Sequence, residues 1–181
     1  MKKKSVFLIG LLSIFIIIPA YSTDGENLFQ LFEGKSVSVY VDDVKDTTQG
    51  HELDSALVRT KLREALRNRK SIHFQIVDRP EEAQIIIKTE LKEFMWTDHD
   101  PVDMLAGVGM AAMDVAIIED YARIQADIMV TEGRSKKVLW KYSVMATITQ
   151  KPMSRTESIP LVTANLAKVF IKECFSRKSR R

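Results

Sequence analysis

The side chains best suited to chemistry in this chain are few and scattered. The densest group is Thr97-Asp98-His99-Asp100-Pro101-Val102-Asp103, in which Asp98, His99, Asp100 and Asp103 offer oxygen and nitrogen donors of the kind that hold a divalent cation. A calcium loop alternates acidic ligands around a glycine and closes on a glutamate, and this stretch does neither. Zinc would want further histidines, and only His51 and His73 remain. The group reads as a solvated, turn-forming acidic loop, and no metal is expected.

Just downstream, Gly107-x-Gly109-x-x-Ala112 has the spacing of a dinucleotide fingerprint, whose glycines let the backbone approach a pyrophosphate at a helix start. That fingerprint follows a strand directly, whereas here the acidic loop intervenes, so no cofactor is expected. No Gly-x-Ser-x-Gly elbow occurs. The one cysteine, Cys174, follows Ile159, Val162, Leu166 and Phe170 at helical spacing, which marks it as a small buried hydrophobe. A single cysteine also excludes an intramolecular disulfide. The chain is expected not to be an enzyme.

The N-terminal residues speak to location. Lys2, Lys3 and Lys4 precede an apolar run from Val6 to Ile18, then Pro19-Ala20-Tyr21-Ser22-Thr23, with small residues ahead of a cut between Ser22 and Thr23. This is the pattern of a secretory leader, residues 1–22, and the run is shorter than the ~20 residues of a spanning helix. The expected location is the periplasm or the exterior, peripheral contact with the outer membrane included. No cysteine follows the run until Cys174, so the leader does not end in a lipid-attachment cysteine.

The net charge of +3 comes from 27 Lys and Arg against 24 Asp and Glu, and three of those cations lie in the leader, leaving 24 of each. Arg177, Lys178, Arg180 and Arg181 crowd a basic tail, residues 177–181, so the body before it is acidic. No nucleic-acid partner is expected from that balance.

Between leader and tail the pattern is that of one α+β domain, residues 36–176, after a polar lead-in over residues 23–35. Valines alternate in "SVSVYVD" (36–42), predicting a strand. Val58, Leu62, Ala65 and Leu66 share one face of a helix over 52–69. Strands follow at 71–78 and 83–96, then a hairpin of 121–132 with 137–149. A last helix spans about 156–175, with Pro160 expected in its first turn. The predicted architecture is strand-helix-strand-strand-strand-strand-helix: a mainly antiparallel four- to five-stranded sheet with two helices packed on one face. An apolar excursion, residues 97–120, interrupts the strands.

The stretches "VSVYVDDV", "FQIVDRPEEAQIIIKTELKEF" and "VLWKYSVMATIT", in that order around a helix and before a C-terminal helix, resemble the LptE-type lipopolysaccharide-assembly lipoproteins and the periplasmic domain of CsgG-type secretion lipoproteins. The resemblance covers most of the chain beyond the leader and departs at the N-terminus, where the lipoprotein cysteine is missing. It implies an envelope protein with no catalytic motif.

Two surfaces are candidates for contact. In "DMLAGVGMAAMDVAII" (103–118), ten apolar or glycine residues separate Asp103 from Asp114, too few to cross a bilayer as one helix. As a helix it would be apolar nearly all round and so buried on several sides; a strand, or a piece of the monomer's own core, are the other readings. Met104, Leu105, Val108, Met110, Met113 and Val115 are the candidate interface, since flexible thioethers adapt to irregular partners. The second surface is a basic ridge of Arg59, Arg63, Arg67 and Lys70, suited to an acidic partner or lipid headgroups, or simply the solvated face of its helix.

The expected function is that of an exported, non-enzymatic envelope protein assisting outer-membrane assembly or transport through contacts with an envelope protein or with itself. Shallow lipid or membrane-surface contact is part of the same expectation, and a periplasmic carrier of lipid or another apolar ligand is the alternative. The leader gives a first prediction. Intact-mass measurement of the exported protein should show a chain beginning at Thr23; a species retaining residues 1–22 would contradict it.

Overall fold

The computed structural model describes residues 28–51, 53–96, 122–148 and 154–177. Strand β1 (Ser36–Val41) buries Val37, Val39 and Val41 and leaves the residues between them partly open, as a period of two requires. Helix α2 (Ser55–Arg67) begins at Asp54, whose carboxylate accepts the Ala56 N–H at 2.9 Å, and it buries Val58, Leu62 and Leu66 four residues apart. Strand β3 (His73–Ile76) returns parallel to β1. A helix between them is what parallel pairing demands, because a tight turn cannot reverse the chain twice.

After a turn of 3-10 helix at Pro80–Glu82, β4 (Ile85–Trp96) lies on the other flank of β1, again parallel. Strands β5 (Ala122–Glu132) and β6 (Val138–Ile148) continue outward antiparallel, in the order β3-β1-β4-β5-β6, and a two-residue β2 (Lys45–Asp46) also pairs with β4. The α+β class therefore holds, with most paired residues in the antiparallel β4–β5–β6 half. The sheet is nevertheless mixed and six-stranded where four to five strands were expected, because β2 is too short to show a period.

Helix α3 (Arg155–Phe175) starts with a capping box: the Ser154 hydroxyl accepts the Glu157 N–H while the Glu157 carboxylate accepts the Ser154 N–H at 3.0 Å. These bonds from Ser154 hold the Glu157 carboxyl below its ordinary pKa. With the helix starting at Arg155, Pro160 falls in its second turn, not its first. The lost donor would have bonded the Thr156 carbonyl, and both residues are exposed to water.

The lead-in is less polar in effect than its composition suggests. Phe29–Phe32 forms a one-turn helix, α1, and Leu28, Phe29 and Phe32 are buried. The Leu28 N–H donates to the Cys174 carbonyl at 2.7 Å, and the Phe32 and Phe175 rings lie 6.4 Å apart. This turn closes the domain over the end of α3.

The helix side of the sheet carries the core. Trp140 meets Phe170 at 5.7 Å, Phe170 meets Phe175 edge-on at 5.6 Å, and Phe175 meets Phe74 of β3 at 5.0 Å, separations favoured by ring quadrupoles. At the β5–β6 turn, the Gly133 N–H donates to the Gln84 carbonyl at 2.7 Å, and a Cβ there would strike the Ala83 carbonyl. Only glycine lets this turn press on the start of β4.

Cys174 is fully buried, and desolvation raises its thiol pKa well above the ordinary range. Both effects oppose formation of the reactive thiolate. A thiol reagent should therefore modify Cys174 at least about a hundredfold more slowly in the native protein than in denaturant. Fast native labelling would place the thiol at the surface.

Candidate functional site

Residues 97–121 lie outside the described residues, and with them the candidate interface of Met104, Leu105, Val108, Met110, Met113 and Val115 and the acidic group at 98–103. The structure does show where that segment is rooted. Trp96 and Ala122 are direct partners across β4 and β5, so the excursion leaves and re-enters the sheet at one point.

The sheet face beside this root carries two exposed methionines. In β5, Ala122, Ile124 and Ala126 face the helices, so Arg123 and Gln125 face the open side of the sheet. Met95 pairs with Arg123 and Met145 with Gln125, and both methionines are therefore on that open face, 41% and 51% exposed. Arg123 donates to the Met95 sulfur at 2.7 Å and lies 3.7 Å from Glu93. A β-bulge at Lys92 precedes Glu93, and it is what lets Glu93 and Met95 keep the open face. On the helix side of β6, Tyr142 is 55% exposed beside Trp140. Sequence reasoning missed Met95, Met145 and Tyr142, although their places in alternating strands assigned each a face.

The basic ridge divides in two. Arg59 is committed to the fold: its Nε donates to the Val41 carbonyl at 2.9 Å, its Nη1 to Asp43 at 2.7 Å, and its guanidinium lies over the Tyr40 ring. It closes the end of β1 beyond the last residue paired with β3. Arg63 reaches Asp78 at 3.3 Å, with a side chain 23% exposed. Arg67 and Lys70 are exposed. The four cations thus do not present one continuous basic face. In the tail, Arg177 is exposed, and residues 178–181 lie outside the described residues.

A second basic feature does emerge from packing. Where α2 lies against α3, an open groove of about 480 Å³ runs between the helices on the side away from the sheet. Lys61, Arg69, Lys168 and Lys172 line it, with Glu64 as the acid among its lining residues, and Ala65, Ala164 and Ile171 form an apolar floor. Lys61 is bonded to Glu64 at 2.8 Å and Arg69 to the Phe175 carbonyl at 3.2 Å. Lys168 and Lys172, one turn apart on α3, are exposed. Among the described residues, no three His, Cys, Asp or Glu side chains converge as a metal site, and no helix is long and apolar enough to cross a membrane.

The division of the ridge can be measured. Arg59→Ala should lower stability by ~1–2 kcal/mol in urea denaturation, because it strips a buried carbonyl and an ion pair of their partner. Arg67→Ala should change it by less than ~0.5 kcal/mol, as for an ordinary surface position. Equal effects would contradict the assignment of Arg59 to the fold.

No family model matches the chain, and no curated protein matches it. Solved structures do. A PelC chain from Paraburkholderia phytofirmans, described as a dodecamer, is similar with a TM-score of 0.50 at 13% identity, over 78% of this chain and 90% of that one. Lipoprotein GNA1162 from Neisseria meningitidis is similar with a TM-score of 0.41 at 11% identity, over 74% and 97%. The C-terminal domain of LpoB from Salmonella enterica is similar with a TM-score of 0.38 at 13% identity, over 71% and 88%. None of the three is described as LptE-type or CsgG-type, and GNA1162 is described as a lipoprotein. At these identities the finding is a shared α+β fold, carried by the PelC chain.

Proposed function

We propose that this chain is an exported, non-enzymatic protein of the bacterial envelope that works through protein contacts, in assembly or transport at the outer membrane. The observation that carries the reading is the pair of exposed methionines, Met95 and Met145, beside the root of a methionine-rich segment. Each is an exposed apolar side chain on an otherwise polar sheet face, of the kind that a partner docking beside the root would bury. The fold is shared with a PelC chain that forms a dodecamer, so the architecture is compatible with assembly from many copies. The leader pattern and the envelope resemblance support the location.

A carrier of lipid would need an apolar cavity between sheet and helices. Among the described residues that space is filled by Trp140, Leu166, Phe170 and Phe175, each 0–1% exposed. No observation on the structure favours the carrier reading over contact with protein.

Replacing Met110 and Met113 with aspartate tests the proposal. Burial of a methionine contributes ~1.5–3 kcal/mol, so two at one interface amount to roughly two to four powers of ten in affinity at ~1.4 kcal/mol per tenfold. Self-association in sedimentation, or stoichiometric co-purification with an envelope protein, should be lost while the melting temperature stays unchanged. A collapsed melting temperature would make these residues core, since buried charges without partners unfold a domain.

A further inference from the structure

We infer that the outer edge of β6 pairs with the same edge of a second copy of this chain, antiparallel about a two-fold axis at Ser143, so that two sheets join into one. The inference goes beyond the contact reading, because it concerns another surface and names both partner and register.

The direction of the β6 backbone follows from its neighbour. The Glu132 N–H donates to the Lys137 carbonyl at 2.8 Å, so the even-numbered residues of β5 turn their backbone groups toward β6. Their partners in register include Tyr142, Val144 and Ala146. The N–H and C=O groups of Lys141, Ser143, Met145 and Thr147 therefore point out of the sheet. The Asn165 amide of α3 agrees, since it reaches the Thr147 carbonyl at 2.8 Å. Among the described residues nothing meets the outward groups of Lys141, Ser143 and Met145, and all three residues are exposed.

Such an edge is a template for another strand. The opposite edge of the sheet is blunted by its length, since β3 has four residues where β6 has eleven. Strand β6 is closed only at its ends, by Asn165 at Thr147 and by the bulge that leaves Leu139 unpaired between Val138 and Trp140. Between them residues 141–145 keep a regular register, with no proline and Lys141 as their one charge. Tyr142 and Met145, the two most exposed of the large apolar side chains among the described residues, both lie in this short stretch. Exposed Leu161 stands one turn before Asn165, on the same flank of α3.

The stretch is complementary to itself, which selects a second copy as the occupant. Outward-pointing residues must face each other, so a two-fold axis falls on Lys141, Ser143 or Met145. On Lys141 it would set like charges directly opposite. On Met145 it would need the Thr147 carbonyl, which Asn165 already holds. On Ser143 it places Lys141 opposite Met145, where the lysine stem covers the thioether, and Ser143 opposite itself. These pairs exchange about six hydrogen bonds. On the helix side Tyr142 faces Val144 of the second copy, and the two Tyr142 residues become diagonal neighbours ~7–8 Å apart, within reach of aromatic rings. The contact is isologous and closes at two copies.

Sedimentation and oxidative cross-linking of the full exported chain test this. The wild type should dimerise. Ser143→Cys should form a disulfide between copies, because facing Cα atoms at ~5.5 Å lie within its reach. Lys141→Cys, about 14 Å from its symmetry mate, should not, and native Cys174 is too buried to interfere. Met145→Lys should weaken dimerisation at least about tenfold by opposing Lys141, and adding Lys141→Glu should restore it, with melting temperatures unchanged throughout. A monomeric wild type, equal cross-linking at both positions or none at Ser143→Cys, or no effect of Met145→Lys would overturn the inference. A monomeric wild type that still co-purifies with an envelope protein would overturn it while leaving the contact reading in place.

Discussion

Phe175 is where the two halves of this domain are joined. Its ring meets Phe170 at 5.6 Å, which in turn packs on Trp140 of the antiparallel edge, and it meets Phe74 of the parallel edge at 5.0 Å and Phe32 of the N-terminal turn at 6.4 Å. Strands at opposite edges of a sheet cannot bond each other, so a common layer of side chains must hold them. Helix α3 supplies that layer, and its 21 residues reach from Phe94 near the far end of β4 to Phe74 on β3. Burial of Cys174 and the docking of Leu28 on its carbonyl are consequences of the same packing.

With both helices on one side, the sheet keeps an open face. Most positions there are polar, as on an antiparallel sheet with one solvated side. Met95 and Met145 depart from that rule, and they do so at the end where the excursion is rooted. Helix α2 meets only part of α3, and the mismatch leaves the basic groove on the outer side of the helix layer. Apolar root and basic groove thus arise from one architectural fact: a two-layer domain with one long helix covers its sheet but not its own flanks.

The cations show how tertiary placement sorts residues that look alike in the sequence. Arg59, Arg63 and Arg67 recur every four residues on α2 and read as one ridge. Arg59 instead turns back to the Val41 carbonyl and Asp43, because β3 ends before β1 does and leaves that backbone edge to be satisfied. Lys61, on another face of the same helix, ends in the groove. Only the neighbours decide whether a surface cation serves the fold or faces outward.

What the sequence by itself determined is local. Period-two alternation located β1, β4, β5 and β6 to within a residue or two, and helical spacing located α2, α3 and the buried place of Cys174, because one buried face leaves a regular trace in a long element. Elements shorter than one period left no trace: the Phe29–Phe32 turn was read as a polar lead-in, and β2 was not foreseen. The parallel pairing of β1 with β3 and β4 was equally illegible, since alternation reports a face and not a neighbour. The groove was decided wholly by tertiary structure. Its cations lie about a hundred residues apart in the chain, on or just beyond two helices whose individual patterns are those of ordinary solvated faces, and they converge only because α2 packs against α3.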